Sequence, residues 1–138
     1  MQYPAGTTIA VTDGQKLRVF HNIGDELHLR LRELPEPDVH ATSKGGSRKH
    51  HQGQSNPAER RTEADSYIAA VAQWLNEQAL SGQIQKLYVV APPRALGELR
   101  KHYHADLKSK LLGEMDKEHT HDNAEHLHEA LVNAQSPH

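Results

Sequence analysis

The chain has 138 residues, which is room for one domain of ordinary size. Its net charge is −2 with histidine neutral, 36% of it is hydrophobic, and it holds no cysteine. Those figures exclude a globally basic nucleic-acid binder, a disulfide framework and thiolate chemistry.

No apolar run approaches the roughly 18 residues of a membrane helix. Met1-Gln2-Tyr3-Pro4 carries neither the basic nor the apolar part of a leader. The expectation is a soluble cytoplasmic protein with no membrane partner.

The first third reads as strands. Thr7 to Thr12 is rich in β-branched residues and ends at Asp13-Gly14, a strong tight-turn pair. Leu17, Val19 and His21 then alternate with Lys16, Arg18 and Phe20. After a second turn at Gly24-Asp25, Leu27, Leu29 and Leu31 alternate with His28, Arg30 and Arg32. Period-two patterns joined by short turns predict an antiparallel meander with one apolar face. Pro35 and Pro37 stop it.

Residues 36–57 sustain no apolar period and read as an exposed, flexible loop. Loops of that length in compact domains are usually functional or disordered. Thr42 to Arg61 holds five cations (Lys44, Arg48, Lys49, Arg60, Arg61) against one carboxylate, Glu59. That stretch carries +4, so the remainder carries −6. A basic patch on an acidic body suits a polyanionic partner; a solvated loop is the plainer alternative.

A long helix is predicted to follow, with Pro57 near its start. Ala64, Ile68, Val71, Ala72, Leu75 and Ala79 recur at helical spacing, and Ser81-Gly82 ends the run. Leu87-Tyr88-Val89-Val90-Ala91 reads as a parallel strand buried on both sides, broken by Pro92-Pro93. A shorter helix carries Leu96, Leu99 and Tyr103, with Leu107 on the same stripe. Leu111 to Met115 is expected to be the last strand. Thr120 or Asp122 is expected to cap a final helix, with Ala124, Leu127, Leu131 and Ala134 facing inward.

The order predicts a single α/β domain over residues 1–138. Its sheet is mixed and five-stranded, with an antiparallel N-terminal meander, right-handed parallel crossovers and packed helices. Ribonuclease-H-like folds share this order, but fold alone does not give function.

Few motifs carry chemistry. An acidic metal nuclease needs carboxylates converging at the sheet's carboxyl edge. Asp13, Glu63 and Asp65 are in range, yet the central strand ends without a carboxylate, and Asp13 reads first as a turn residue. Twelve histidines include three His-x-His pairs, at 102/104, 119/121 and 126/128. No third and fourth ligand is specified, so the reading is solvated histidines and no metal site. There is no P-loop, nucleophile elbow or dinucleotide fingerprint, and no cofactor is expected. Arg94, at a helix start, is either a functional surface residue or a plain surface cation. Trp74 is expected at the edge of the core.

Three segments carry a resemblance: VTDGQKLRVF, LYVVAPPRALGELR and EMDKEHTH. With them the chain resembles, over nearly its whole length, the bacterial host attachment protein family, "protein required for attachment to host cells". That family is similar to the middle domain of eukaryotic and archaeal class-1 peptide-chain release factors and their ribosome-rescue relatives. The resemblance implies that the loop before the long helix enters the peptidyl-transferase centre. There a Gly-Gly-Gln motif promotes hydrolysis of the peptidyl-tRNA ester. This chain has His51-Gln52-Gly53-Gln54-Ser55 at that place, so Gly53 and Gln54 match and Gln52 replaces the first glycine. Gly53 and Gln54 are therefore the candidate catalytic pair.

The expected partner is the ribosome or tRNA. Lys44, Arg48, Lys49, Arg60 and Arg61 would meet phosphates, and His50 and His51 would stack on bases or add charge. Two other readings stay open: an attachment or protein-interaction module without catalysis, and a hydrolase of nucleic acid or of the peptidyl-tRNA ester.

Overall fold

A computed structural model describes residues 3–39 and 57–135, with side chains for 3–39 and 62–134. The strands are β1 (Thr8–Thr12), β2 (Leu17–Asn22), β3 (Leu31–Glu33), β4 (Leu87–Val90) and β5 (Leu111–Met115). The helices are α1 (Pro57–Leu80), α2 (Pro93–Arg100), α3 (Ala105–Lys110) and α4 (Ala124–Gln135). All five strands join one sheet in the order β3-β2-β1-β4-β5. β1 pairs antiparallel with β2 and parallel with β4, while β5 runs parallel to β4. The mixed five-stranded sheet expected from the sequence is present.

Every residue of β1 is buried, which one greasy face would not produce. Alternate residues feed two cores. Ala10, Leu17, Val19, Leu87 and Val89 face α1, α2 and α3, against Ile68, Val71, Leu75, Leu96, Leu99 and Leu107. Ile9, Val11, Phe20, Tyr88 and Val90 face the other way, onto Leu127 and Leu131 of α4. Phe20, fully buried, is the residue that the one-faced meander leaves unexplained. Burying a leucine of the α4 kind contributes about 1.5–3 kcal/mol. The Tyr3 hydroxyl and the His128–Leu29 bond add to what holds α4 on the sheet.

Four further expectations are corrected. β3 begins at Leu31 rather than Leu27. Asp25 Oδ1 accepts the backbone N–H groups of Leu27 and His28, and buried Asn22 Oδ1 accepts those of Gly24 and Arg30. These bonds hold the chain in a wide turn, and Leu27 is left 73% exposed. The shorter helix is two helices, α2 and α3. Asn76 of α1 separates them by donating to the His102 carbonyl at 2.9 Å and accepting the His104 N–H at 3.0 Å. The cap of α4 is Asn123, whose Oδ1 accepts the His126 N–H at 2.8 Å. Ala124 and Ala134 are exposed, and only Leu127 and Leu131 of the expected inner face are buried.

α1 reaches the carboxyl edge of the sheet. Its inner stripe Ile68, Val71, Ala72, Leu75 and Ala79 is buried as the spacing predicts. Gly82, with φ +85°, closes its far end by donating to Ala79 O. The helix has 24 residues, about 36 Å at 1.5 Å per residue. Five-residue β1 spans only about 17 Å. The two align at Gly14, in the turn after β1, where an added Cβ would sit 3.4 Å from Ala64 Cβ. Residues 57–63 therefore run past the carboxyl edge of the sheet, by about 10 Å.

Candidate functional site

The carboxyl ends of β1, β4 and β5 lie together at that edge. After β1 the chain turns to β2 on one side; after β4 it goes on to β5 on the other. The loops that follow these strands therefore share this edge. The chain on either side of residues 40–56 meets the same edge. β3 runs toward it, and α1 starts beyond it.

Asp13 is the turn residue the sequence suggests. Its Oδ1 accepts the N–H groups of Gln15 and Lys16 at 2.8 and 3.0 Å. Its Oδ2 points the other way, 3.5 Å from His121 Nε2. The segment bearing His121 lies between β5 and α4, and Arg18 of β2 fastens it. Arg18 Nη1 donates to the carbonyls of Thr120 and Asp122 at 3.0 and 2.5 Å. The same guanidinium grips Glu33 with two hydrogen bonds, of 2.9 and 2.8 Å, and stands 5.0 Å over the Phe20 ring. That grip raises the Arg18 pKa and holds the Glu33 carboxyl below its ordinary value. Tyr67 lies beside the cluster; burial first, then the charges of Glu36 and Asp13, push its hydroxyl up to about 12.

The His-x-His pairs do not act as pairs. His119 Nδ1 bonds Asp122 Oδ2 at 2.6 Å, while His121 turns to Asp13. His128 Nε2 bonds the Leu29 carbonyl at 2.9 Å, and His126 is exposed. His102 pairs with Glu98 at 3.3 Å, and exposed His104 precedes α3. Both line a groove of about 610 Å³ between α1 and the α2–α3 turn, with Ser66, Gln73, Asn76 and Lys101. Lys101 is itself paired with Glu98 at 3.1 Å. Asn76 and Glu118 are the residues that sequence reasoning does not single out. A hydrophilic residue on the buried stripe of α1 is the available signal for Asn76.

Arg94 heads α2 at the carboxyl edge and pairs with Asp65 of α1 at 2.9 Å, so it bridges two helices at the surface. Lys44, Arg48, Lys49, His50, His51, Gly53 and Gln54 lie outside the described residues. Arg60 and Arg61 fall within α1, but their side chains lie outside them too. Trp74 is half-buried against the α1-side core, at its edge as expected. No helix among the described residues is long and apolar enough to cross a membrane.

No curated protein matches the chain. One family does, described as bacterial archaeo-eukaryotic release factor family 12, and the match runs over residues 6–131. Its description names release factors and not host attachment. The match covers most of the chain, including all five strands and the 40–56 segment. The protein belongs to bacterial archaeo-eukaryotic release factor family 12.

Proposed function

We propose that this release-factor-like protein associates with the translation machinery in the cytoplasm and binds ribosomal or transfer RNA, acting in ribosome rescue without itself being a hydrolase. The observation that carries the reading is membership of a release-factor family across residues 6–131. The topology supports it. The basic stretch of Lys44, Arg48, Lys49, Arg60 and Arg61 joins the body at the carboxyl edge, where α1 extends past the sheet. The charge of that stretch suits a phosphate backbone, which the acidic remainder does not. His50 and His51 add stacking surface or charge, and Arg94 on the same edge is a further contact. Phosphate contacts position the protein without reading sequence.

Co-sedimentation with ribosomes at increasing salt tests this. Each phosphate contact contributes about 0.7–0.9 to the slope of log affinity against log salt. Replacing Lys44, Arg48 and Lys49 by alanine is expected to weaken co-sedimentation and to flatten the slope by about 2–3 units. A wild-type protein that stays in the supernatant at low salt would overturn the reading. Recovery at the cell surface instead would favour the attachment module.

A further inference from the structure

We propose that Asp13, Glu118 and His121 form a binding site for one divalent first-row transition-metal cation. Each offers one ligand atom, and these atoms lie within 4.8 Å of one another. Among the described residues this is the group of three His or carboxylate donors that converges so closely. The inference is independent of the proposed role in RNA binding.

Three features separate the cluster from a chance meeting of surface charges. First, its donors are mixed: two carboxylates and an imidazole. Oxygen alone would suit Mg²⁺ or Ca²⁺, whereas an added imidazole nitrogen favours Mn²⁺, Fe²⁺ or Zn²⁺. Second, the ligands are oriented by hydrogen bonds to the backbone. Asp13 Oδ1 is held by two backbone N–H groups, so Oδ2 is turned to the cluster. Glu118 Oε2 accepts the Thr120 N–H at 3.0 Å, and its Oε1 accepts a longer bond, 3.5 Å, from the Thr120 hydroxyl. Arg18 anchors the Thr120–Asp122 backbone that carries His121. Partners of this sort orient ligands and strengthen metal binding.

Third, there is an electrostatic deficit. The Asp13 side chain is only 15% exposed, and its ion-pair partner among the described residues is the imidazole of His121, itself 72% exposed. Glu118 adds a second negative charge against it. Nearby, Arg18 spends its guanidinium on Glu33 and on two carbonyls, and the Lys16 charge also acts on Glu33. A divalent cation would supply the missing charge. It would also join the β1–β2 turn to the β5–α4 segment at the carboxyl edge of the sheet. Water would complete the coordination shell.

The test is a titration of the full chain with Mn²⁺, following loss of the free-ion electron paramagnetic resonance signal, paired with thermal unfolding. One Mn²⁺ per chain is expected, with a rise in unfolding temperature. Glu118→Gln and His121→Ala are each expected to weaken binding by about tenfold or more and to abolish the thermal shift. Asp13→Asn keeps an oxygen for the turn and removes the charge, so it separates loss of the ligand from loss of the fold. The double variant His102→Ala/His104→Ala should bind as the wild type does. Absence of stoichiometric Mn²⁺ binding would overturn the proposal. So would binding that survives His121→Ala but is lost in the His102/His104 variant, which would mark adventitious capture by surface histidines.

Discussion

Tyr3 and Leu131 are 128 positions apart, yet the Tyr3 hydroxyl donates to the Leu131 carbonyl at 2.7 Å in a buried setting. The Tyr3 ring also meets Tyr88 edge-to-face, with centroids 5.0 Å apart. The start of the chain thus clasps the last helix through the sheet-facing core. Tyr3→Phe keeps the ring and removes the bond to the Leu131 carbonyl. It is expected to cost about 1–2 kcal/mol. Urea unfolding should show a lower midpoint with an unchanged slope. An unchanged midpoint would mean that the clasp contributes nothing.

The Arg18–Glu33 contact predicts a pH dependence. Arg18 holds the Glu33 carboxyl below its ordinary value of 4.5. A group with a depressed folded pKa binds fewer protons when folded. Its contribution is therefore full above 4.5 and is lost as pH falls through the lower folded value. Glu33→Gln is expected to flatten the loss of stability on acidification below pH 4.5. Unfolding curves collected down to about pH 3 read this directly. Identical acid profiles for the two proteins would remove Glu33 from the account. The same variant frees part of Arg18, so any loosening of the Thr120–Asp122 segment should appear as faster amide exchange there.

Two glycines give opposite expectations. A Cβ at Gly24 would lie 2.0 Å from the His28 carbonyl oxygen, which is backbone and has little room to retreat. Gly24→Ala is expected to destabilise by about 2 kcal/mol or more, because the turn built on Asn22 and Asp25 must open. Gly97 lies within α2, and a Cβ there would meet nothing within 4 Å. Gly97→Ala is expected to stabilise by about 0.5–1 kcal/mol through helix propensity. Thermal unfolding of the two variants side by side checks both signs.

Much of the fold was legible because periodicity reports burial. The stripe on α1 and the continuous run Leu87–Ala91 each carry their address in spacing alone. What spacing missed were side-chain hydrogen bonds to backbone. Asn22 and Asp25 reshape the β2–β3 connection and Asn123 caps α4, each competing locally with regular structure, while Asn76 divides α2 from α3 through bonds to backbone 26 and 28 positions away. Phe20 was missed for another reason. In a short strand, a single apolar residue on the polar side does not reveal that a helix more than 100 positions later will cover it. The candidate metal cluster was illegible in the same way. Asp13 and His121 were visible as types, but their approach depends on Arg18 holding the β5–α4 segment over β1. The meaning of the basic stretch came from composition and resemblance, not from packing.

The departure from the Gly-Gly-Gln pattern gives the most direct test of chemistry. Ester hydrolysis needs a backbone amide aimed at the developing oxyanion and a positioned water. Successive glycines permit the dihedrals that present such an amide. Here Gln52 occupies the first glycine position, ahead of Gly53 and Gln54. Wild-type protein is therefore expected to bind ribosomes without hydrolysing peptidyl-tRNA, and Gln52→Gly is expected to raise hydrolysis above that background. Gly53→Ala and Gln54→Ala change no cation, so both should co-sediment with ribosomes as the wild type does. Substantial wild-type hydrolysis that Gln54→Ala abolishes would overturn the non-catalytic reading and make Gln54 a catalytic residue. Hydrolysis that survives both substitutions would place the chemistry elsewhere in the chain.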